Sequence, residues 1–340
     1  MDLAEFDFAL PEDLIAQTPL ADRAASRMLV VDRARQCWED RQFRDLPAFL
    51  GAGDCMVLND SRVFPARLFG RRAAFTGAIE VLLLRPVGGG DNLEWEALVH
   101  PGKKMRVGER VRFAGGLEAE VIARRCFGER TLRFHTDRDI YEEFERIGHV
   151  PLPPYIKRHD DAADRERYQT VFARELGSAA APTAGLHFTA EVLEACRARG
   201  ADIAFVTLHV GLGTFQPIHG DRIEGHRLHS EHYRITADNA ARMTAARRLV
   251  AVGTTSVRTI ESAARTGGLR EASGETDIFI YPGFEFRATG GMLTNFHLPG
   301  TSLLLLVCAF AGQDLALGAY RHAVEQRYRF YSYGDCMLIV

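Results

Sequence analysis

The sequence lacks the cysteine patterns that mark metal and redox sites. It has six cysteines in 340 residues, and no two of them form a CxxC pair. They are Cys37, Cys55, Cys126, Cys196, Cys308 and Cys336. A structural zinc site or an iron–sulfur cluster needs clustered thiolates, and a redox dithiol uses CxxC. The scattered thiols are therefore predicted to be small buried side chains in a reducing compartment.

Neither the first residues nor the apolar runs of the sequence predict a segment that exports the chain or anchors it in a membrane. Residues 1–6 are acidic and contain neither the basic region nor the apolar region of a signal peptide. The longest apolar run, residues 303–311, has about half of the ~20 residues that span a bilayer. We therefore expect a cytoplasmic protein without a membrane partner, and we expect it to be a monomer.

The chain has no excess of positive charge. It contains 42 Lys and Arg against 45 Asp and Glu, a net charge of −3. As an average over the chain, this value argues against a general polyanion binder. Apolar residues make up 46% and charged residues 26%, which is typical of a globular protein with a real core. At about 100–200 residues per domain, the length predicts two domains.

The pattern of elements changes twice along the chain. Residues 2–61 mix apolar strands with short helical turns, whereas residues 66–135 alternate short strands with glycine turns, as in a small barrel. After a proline-rich linker at 151–155, strands again alternate with helices. We therefore predict a discontinuous, layered α/β domain with a mixed sheet, residues 1–61 and 150–340. It carries an inserted all-β, barrel-like domain, residues 62–149.

Apolar runs predict the buried strands of the second α/β part, and amphipathic segments predict its helices. The predicted strands are residues 203–208, 248–252, 277–281 and 303–307. The predicted helices are residues 190–199, 237–247, 257–265 and 315–327.

Two segments place glycines and hydroxyls where a predicted strand ends. Residues 253–258, Gly-Thr-Thr-Ser-Val-Arg, open a helix, where backbone N–H groups favour an anion or a polar ligand group. A simple hydroxyl N-cap would use the same residues, and the lysine of a P-loop is missing. Residues 208–217 contain His209, Gly211 and Gly213, but Gln216 stands where a dinucleotide fingerprint needs its third glycine.

Histidines concentrate in three further segments. Residues 226–232 are dense in potential ligands but lack a metal-site spacing, so we predict no metal. Either Glu231 is a base flanked by histidines, which we favour, or the segment is a solvated polar loop. The small-residue segment 181–188 contains His187, which is either an acid–base group or part of a tight turn. Asn295 and His297 could bind a base edge or a ribose. The aromatic segment 328–335 either stacks on bases or closes a core.

In this order, the motifs resemble the S-adenosylmethionine:tRNA ribosyltransferase-isomerase family of the queuosine pathway. The matching blocks are residues 6–8, 10–11, 58–65, 151–156, 168–171, 181–188, 205–217, 229–231, 252–258, 278–283, 294–299 and 328–335. The resemblance spans nearly the whole chain and is weakest in the β insertion. Asp60-Ser61 stands where the family pattern leads us to expect Asn-Thr.

The resemblance implies a reaction. S-adenosylmethionine would donate its ribosyl unit to 7-aminomethyl-7-deazaguanine at the wobble position of tRNA. Adenine and methionine would leave, and the product would be epoxyqueuosine-tRNA. S-adenosylmethionine would thus be a co-substrate, with no permanently bound cofactor. A radical use of the same molecule would need a CxxxCxxC cluster, which the sequence lacks.

This chemistry assigns candidate roles. The sulfonium acidifies the C5′ protons, so a base must remove one of them, and Glu231 or His209 is the candidate. Departing adenine needs a proton or a hydrogen-bond donor, and His187 or His229 is the candidate. The remaining motif residues would hold S-adenosylmethionine. They are Gly211, Gly213, Thr254, Thr255, Ser256, Arg258, Asn295 and His297.

The average charge conceals a basic module. Residues 62–133 contain 14 Lys and Arg against 8 Asp and Glu, a net of +6, which leaves −9 for the rest. We therefore predict that the insertion faces the tRNA, with contacts from Arg62, Arg67, Lys157 and Arg158, and that binding weakens steeply with salt. An ordinary solvated β surface could carry the same excess.

Two other functions stay open at this point. One is a metal-dependent hydrolase built on His226, His229 and His232. The other is an RNA-binding module without catalysis, in which the insertion carries the function.

Overall fold

The computed structural model describes residues 1–74, 76–87, 93–125, 129–211, 218, 220 and 222–340. Its strands are β1 Arg27–Asp32, β2 Cys37–Gln42, β3 Asp54–Asn59, β4 Ser61–Val63, β5 Arg67–Arg72, β6 Ala78–Pro86, β7 Glu94–His100, β8 Arg110–Phe113, β9 Glu118–Arg124, β10 Glu129–His135, β11 Glu175–Ser178, β12 Asp202–Leu208, β13 Glu231–Ile235, β14 Arg248–Val252, β15 Ala272–Thr276, β16 Thr289–Asn295 and β17 Cys336–Ile339. Its α-helices are α1 Ile140–Ile147, α2 Asp164–Arg167, α3 Ala190–Ala198, α4 Ala237–Ala245, α5 Thr254–Thr266, α6 Ser302–Ala311 and α7 Gln313–Glu325. Short 3-10 turns occupy Leu3–Phe6, Glu12–Leu14, Arg23–Ala25, Phe43–Phe49, Gly102–Lys104, Ala114–Gly116 and Thr183–His187.

Among the described residues, nine strands form one mixed sheet in the order β15-β13-β12-β3-β14-β16-β17-β1-β2. The four central strands β12, β3, β14 and β16 are parallel to one another. Strands β13 and β15 extend the sheet antiparallel on one side, and β17, β1 and β2 extend it on the other. The predicted mixed sheet of a layered α/β fold is confirmed.

Both faces of this sheet are covered, which explains why its central strands are continuous apolar runs. Successive side chains of a strand point to opposite faces. Accordingly, Cys55 and Val57 of β3 join the core formed with α4, α5, α6 and α7, whereas Met56 and Leu58 join the core formed with α3.

Six of the described strands close into a separate antiparallel barrel in the order β10-β7-β6-β5-β8-β9. Trp95 of β7 is fully buried inside it. Helix α1, whose N-terminus is capped by Asp139, adds Ile140 and Phe144 to the barrel core. The prediction of an all-β, barrel-like architecture for the inserted segment is confirmed.

Two predicted strands are wrong. Residues 303–307 lie in helix α6, because the Thr301 hydroxyl caps its first turn and the helix is buried around most of its circumference. A short apolar run fits a buried helix as well as a buried strand. Residues 277–281 follow β15 instead of forming a strand. Thr276 is the last residue of β15 and pairs with Glu231, the first residue of β13, so the ladder has no further partner residue there.

No single helix in the described ranges is long and apolar enough to cross a membrane, although α6 and α7 together pass the same length and composition test. A bend of 117° separates the two helices. Both contribute side chains to the core on one face of the sheet.

Candidate active site

Several of the predicted site residues lie where the parallel strands end. Strands β3, β12, β14 and β16 all have their carboxyl ends at one edge of the sheet. His209 directly follows β12, Thr254 follows β14 after one glycine, and Asn295 ends β16. In open α/β sheets, ligands bind beyond this edge.

A cavity of about 460 Å³ lies between this edge and the barrel. Four of the predicted residues line it on the sheet side: His209, Gly211, His229 and Glu231. The remaining lining residues are Leu84, Arg85, Pro86, Glu96, Leu98, Arg125, Glu129, Tyr141, Leu176, Gly177, Ser230, His232 and Glu275. Cavities of this size hold small organic ligands. The cavity therefore has walls from both parts of the fold.

Glu231, the first residue of β13, is 5% exposed. One carboxylate oxygen accepts the Gly211 N–H at 2.8 Å, and the other pairs with the guanidinium of Arg258 in α5. Arg258 is itself buried, and its Nη2 atom has no hydrogen-bond partner among the described residues. The carboxylate thus connects the segment after β12 to helix α5 and is held in one orientation at the cavity wall.

The His209 imidazole lies in the same cavity and faces His232, with ring centroids 6.3 Å apart and planes 20° apart. Burial and, to a smaller extent, the charge of His232 lower the pKa of His209 below its ordinary value. Gly177 makes room for the ring, because a Cβ there would lie 3.0 Å from His209 Cε1. His209 is therefore a neutral imidazole at neutral pH, a form that can accept a proton.

A second, smaller cleft of about 40 Å³ is lined by four residues predicted to bind S-adenosylmethionine: Thr254, Thr255, Asn295 and His297. Its volume suits one small polar group or a water molecule. The Thr255 hydroxyl has no hydrogen-bond partner within the described ranges. Val210 also lines this cleft, so residues 209–211 lie between the cleft and the large cavity.

Several polar groups of the predicted binding motifs form hydrogen bonds within the protein. Asn295 donates to the Tyr331 carbonyl at 2.8 Å, and His297 Nε2 is 2.8 Å from the Thr294 hydroxyl. The Ser256 hydroxyl is buried in α5 and donates to the Val252 carbonyl at 2.8 Å. Gly213 lies outside the described residues.

His187 does not line the large cavity. It lies in a separate pocket of about 20 Å³ beside Arg23, with its Nδ1 atom 2.9 Å from the Ser26 hydroxyl and Nε2 3.3 Å from Asn295 Oδ1. Burial lowers the pKa of His187 to about 4. At neutral pH, this ring is uncharged.

The buried histidines predict how stability depends on pH. Burial lowers the pKa of His187 to about 4 and that of His297 to about 3, whereas an exposed histidine titrates near 6.5. As the pH falls from about 6.5 to 4, these two imidazoles therefore become protonated in the unfolded chain but stay neutral in the folded chain. Each histidine then lowers the free energy of unfolding by about 1.4 kcal/mol per pH unit. Between pH 7 and pH 5, the free energy of unfolding measured with urea should therefore change less for His187→Asn than for the parent protein. An equal difference would contradict the burial effect.

The four residues predicted to bind RNA differ in availability. Arg62 is exposed. Arg67 donates to the Leu152 carbonyl at 2.9 Å and pairs with Glu80, and Lys157 pairs with Glu12. Arg158 forms a two-point ion pair of 2.6 and 2.8 Å with the buried Asp164. The last interaction fixes the segment after the linker, which is a structural task.

In the part of the chain that the structure describes, no group of three or more His, Cys, Asp and Glu side chains could hold a metal ion. His226 packs its ring against Phe279, whereas His229 and His232 line the large cavity. The histidine-based hydrolase therefore lacks a ligand cluster within these residues.

The barrel wall of the cavity was not predicted. It includes Glu96, which pairs with Arg85 and Arg125, and Glu129, which lies 3.8 Å from His229 Nδ1. These residues alternate with core residues on β strands, a pattern that any solvated barrel shares. Only their contacts across the cavity distinguish these barrel residues, and a single sequence does not reveal which barrel residues face the sheet.

A sheet-edge cavity with a buried carboxylate and a neutral imidazole defines an enzyme-type site on a mixed α/β fold. Residues 3–339 match the family described as queuosine biosynthesis protein. The chain belongs to this family, as its motifs led us to expect.

Relatives named S-adenosylmethionine:tRNA ribosyltransferase-isomerase match end to end. The protein of Solibacter usitatus is 68% identical and that of Symbiobacterium thermophilum 53% identical, each over 100% of both chains. The crystal structure of an S-adenosylmethionine tRNA ribosyltransferase from Thermotoga maritima is 37% identical. It covers 99% of this chain and 100% of its own, with a TM-score of 0.57.

Proposed function

We propose that this chain transfers and isomerises the ribosyl moiety of S-adenosylmethionine onto 7-aminomethyl-7-deazaguanine at the wobble position of tRNA. The products are epoxyqueuosine-tRNA, adenine and methionine, and S-adenosylmethionine is a co-substrate. The observation that carries this proposal is the buried Glu231 carboxylate, oriented by Gly211 and Arg258 at the wall of the 460 Å³ cavity. It lies in a chain that matches the family from residue 3 to 339.

The first chemical task is removal of a C5′ proton beside the sulfonium. Glu231 and His209 are the candidate bases, and both line the cavity. The carboxylate is held by two donors, and the imidazole is neutral because burial lowers its pKa. A base works best when it is already oriented and unprotonated before the substrate arrives. Glu231 meets the first condition through its two donors, and His209 meets the second through its lowered pKa.

The second task is protonation of the departing adenine. The candidates are His187 and His229. His229 lines the cavity that contains Glu231, and its ring is partly exposed and faces Glu129. His187 is a neutral ring in another pocket. These observations favour His229 as the group that assists adenine.

The large cavity suits the reacting part of S-adenosylmethionine, whereas the 40 Å³ cleft is too small for more than one polar group of it. Thr254, Thr255, Asn295 and His297 would hold that group, and Gly211 would shape the passage between the two spaces. Gly213, which lies outside the described residues, stays a predicted contact of S-adenosylmethionine. Arg258 and Ser256 would act on the site through Glu231 and through helix α5.

The barrel is the part we assign to tRNA. The proposed division is a catalytic domain of residues 1–61 and 150–340 and an inserted domain of residues 62–149. The basic excess lies in residues 62–133 of the inserted domain. Of the four residues predicted to contact tRNA, the exposed Arg62 would contribute most directly. Arg67 and Lys157 would contribute beside their partners Glu80 and Glu12, whereas Arg158 would act indirectly, by holding the segment after the linker through Asp164. The protein would act as a monomer in the cytoplasm, without a membrane partner.

Release of adenine tests the proposal. Purified protein, S-adenosylmethionine and tRNA carrying the 7-aminomethyl-7-deazaguanine precursor should give free adenine in an amount equal to the modified tRNA. Mass spectrometry measures both products. The matched control is the same tRNA with guanine at the wobble position, for which we expect no adenine. A protein that binds the precursor tRNA but releases nothing would be an RNA-binding module, and the proposed function would fail.

A further inference from the structure

Residues 62–133 contain 14 Lys and Arg side chains, and all except the buried Arg130 fall into two groups. The first group is paired with carboxylates: Arg67 with Glu80, Arg72 with Glu109, Arg85 and Arg125 with Glu96, Arg110 with Glu120, Arg112 with Glu118, and Arg133 with Glu94. A second group is exposed and forms no ion pair with any described residue: Arg62, Arg71, Lys103, Lys104, Arg106 and Arg124. The net positive charge of the insertion is therefore concentrated in a few side chains.

Three of these unpaired cations lie on one loop, residues 102–106, between β7 and β8. We call this segment the basic loop. It begins with the 3-10 turn Gly102–Lys104, and Lys103, Lys104 and Arg106 are all exposed. Met105, between them, is fully buried in the barrel core. The loop thus presents its charges to solvent while its centre is anchored.

Arg130 of β10 fixes the basic loop from inside. It is 2% exposed, and its guanidinium donates to the Met105 carbonyl at 2.8 Å and to the Gly102 carbonyl at 2.6 Å. A buried charge is costly unless it is fully hydrogen-bonded, so these contacts constrain the loop strongly. A loop that is already ordered loses less entropy when it binds a partner.

The basic loop is attached beside the cavity. Arg130 directly follows Glu129, which lines the cavity and pairs with Leu98, another lining residue. In the ladder between β10 and β9, Arg130 is opposite Arg124, and Arg124 precedes the lining residue Arg125. The anchor Arg130 is therefore adjacent in sequence to one lining residue, Glu129, and its strand partner Arg124 is adjacent to another, Arg125.

We infer that Lys103, Lys104 and Arg106 bind backbone phosphates of the tRNA next to the nucleotide that enters the cavity. This inference depends on the proposed function, because it takes tRNA as the partner. Unpaired, exposed cations attract phosphates without reading the sequence, and each contact adds to the salt dependence of binding. Contacts from a loop that is anchored on the strands lining the cavity would hold the anticodon loop while one base is inserted.

The test compares two triple variants of equal charge change. The first is Lys103→Gln/Lys104→Gln/Arg106→Gln. The control is Arg110→Gln/Arg112→Gln/Arg133→Gln, three exposed arginines that are already paired with carboxylates. Affinity for fluorescently labelled tRNA is measured against salt concentration, and kcat and KM are measured for both substrates. Thermal unfolding verifies that both variants are folded.

The loop variant should weaken tRNA binding and lower the slope of log affinity against log salt by about 3, roughly one per phosphate contact removed. Its KM for tRNA should rise while kcat and the KM for S-adenosylmethionine stay unchanged. The control should change the slope much less. The single variant Lys104→Glu should shift affinity in the same direction as the loop variant.

Equal slopes for the two triple variants would overturn the inference, because charge alone would then explain the effect. A changed slope in a protein that releases no adenine would support the loop and would refute the proposed function instead. Since binding is measured directly, the two failures are distinguishable.

Discussion

Replacing Glu231 with glutamine is expected to lower kcat by about 10²–10⁴-fold, the usual contribution of a positioned general base. The amide oxygen can still accept the Gly211 N–H, so the local backbone should be retained. The readout is adenine release under saturating S-adenosylmethionine and precursor tRNA. A folded Glu231→Gln enzyme with a near-parental rate per folded molecule would rule out this base and leave His209 as the candidate.

A matched control separates catalysis from folding. Glu261 is also fully buried and also pairs with an arginine, Arg265, at 2.9 Å, but it accepts the N–H groups of Ala288 and Thr289 and does not line the cavity. Glu261→Gln should therefore reduce the free energy of unfolding without reducing the turnover of folded molecules. If both variants lost turnover equally, the loss in Glu231→Gln would be structural.

Replacing Arg258 with methionine is expected to have the largest effect on stability. The change leaves the buried Glu231 carboxylate without its cationic partner, and breaking a buried ion pair in this way costs about 3–5 kcal/mol. Turnover should also fall, since Arg258 orients the carboxylate. Urea unfolding at neutral pH measures the first effect, and adenine release measures the second.

The double variant Glu231→Gln/Arg258→Met distinguishes the two roles of this pair. It contains neither buried charge, so it should be more stable than Arg258→Met alone, with a coupling energy of about 0.5–3 kcal/mol. Its turnover should stay as low as that of Glu231→Gln. Recovery of turnover together with stability would mean that the pair only maintains the fold.

The buried strands were predictable because burial on both faces makes a strand a continuous apolar run. Residues 55–58 and 248–252 lie in β3 and β14 at the centre of the sheet. The run at 303–307 is also apolar but forms part of helix α6, since the Thr301 cap and packing around the helix decide its conformation. Local sequence thus predicted which residues are buried better than it predicted their conformation.

The site was predictable where it depends on strand ends and not where it depends on contacts across the molecule. His209, His229 and Glu231 line one cavity, as residues at the edge of a sheet can. His187 has similar local signals but turns toward Ser26 and Asn295 in another pocket. Arg158, which was predicted to bind RNA because of its charge, forms an ion pair with Asp164. In each case, the tertiary partner determines whether the side chain is available to the site, and the neighbouring sequence does not show which residue that partner is.

The position of β17 has a consequence for the order of folding. This strand lies between β16 and β1, so β1 and β2 reach the rest of the sheet only through it in the described part of the chain. Its pairing of Cys336 with Met28 brings together residues about three hundred positions apart in sequence. Loop closure over such a separation is slow. The β1–β2 hairpin should therefore join the sheet late, after the parallel centre has formed, and removal of residues 336–340 should detach it.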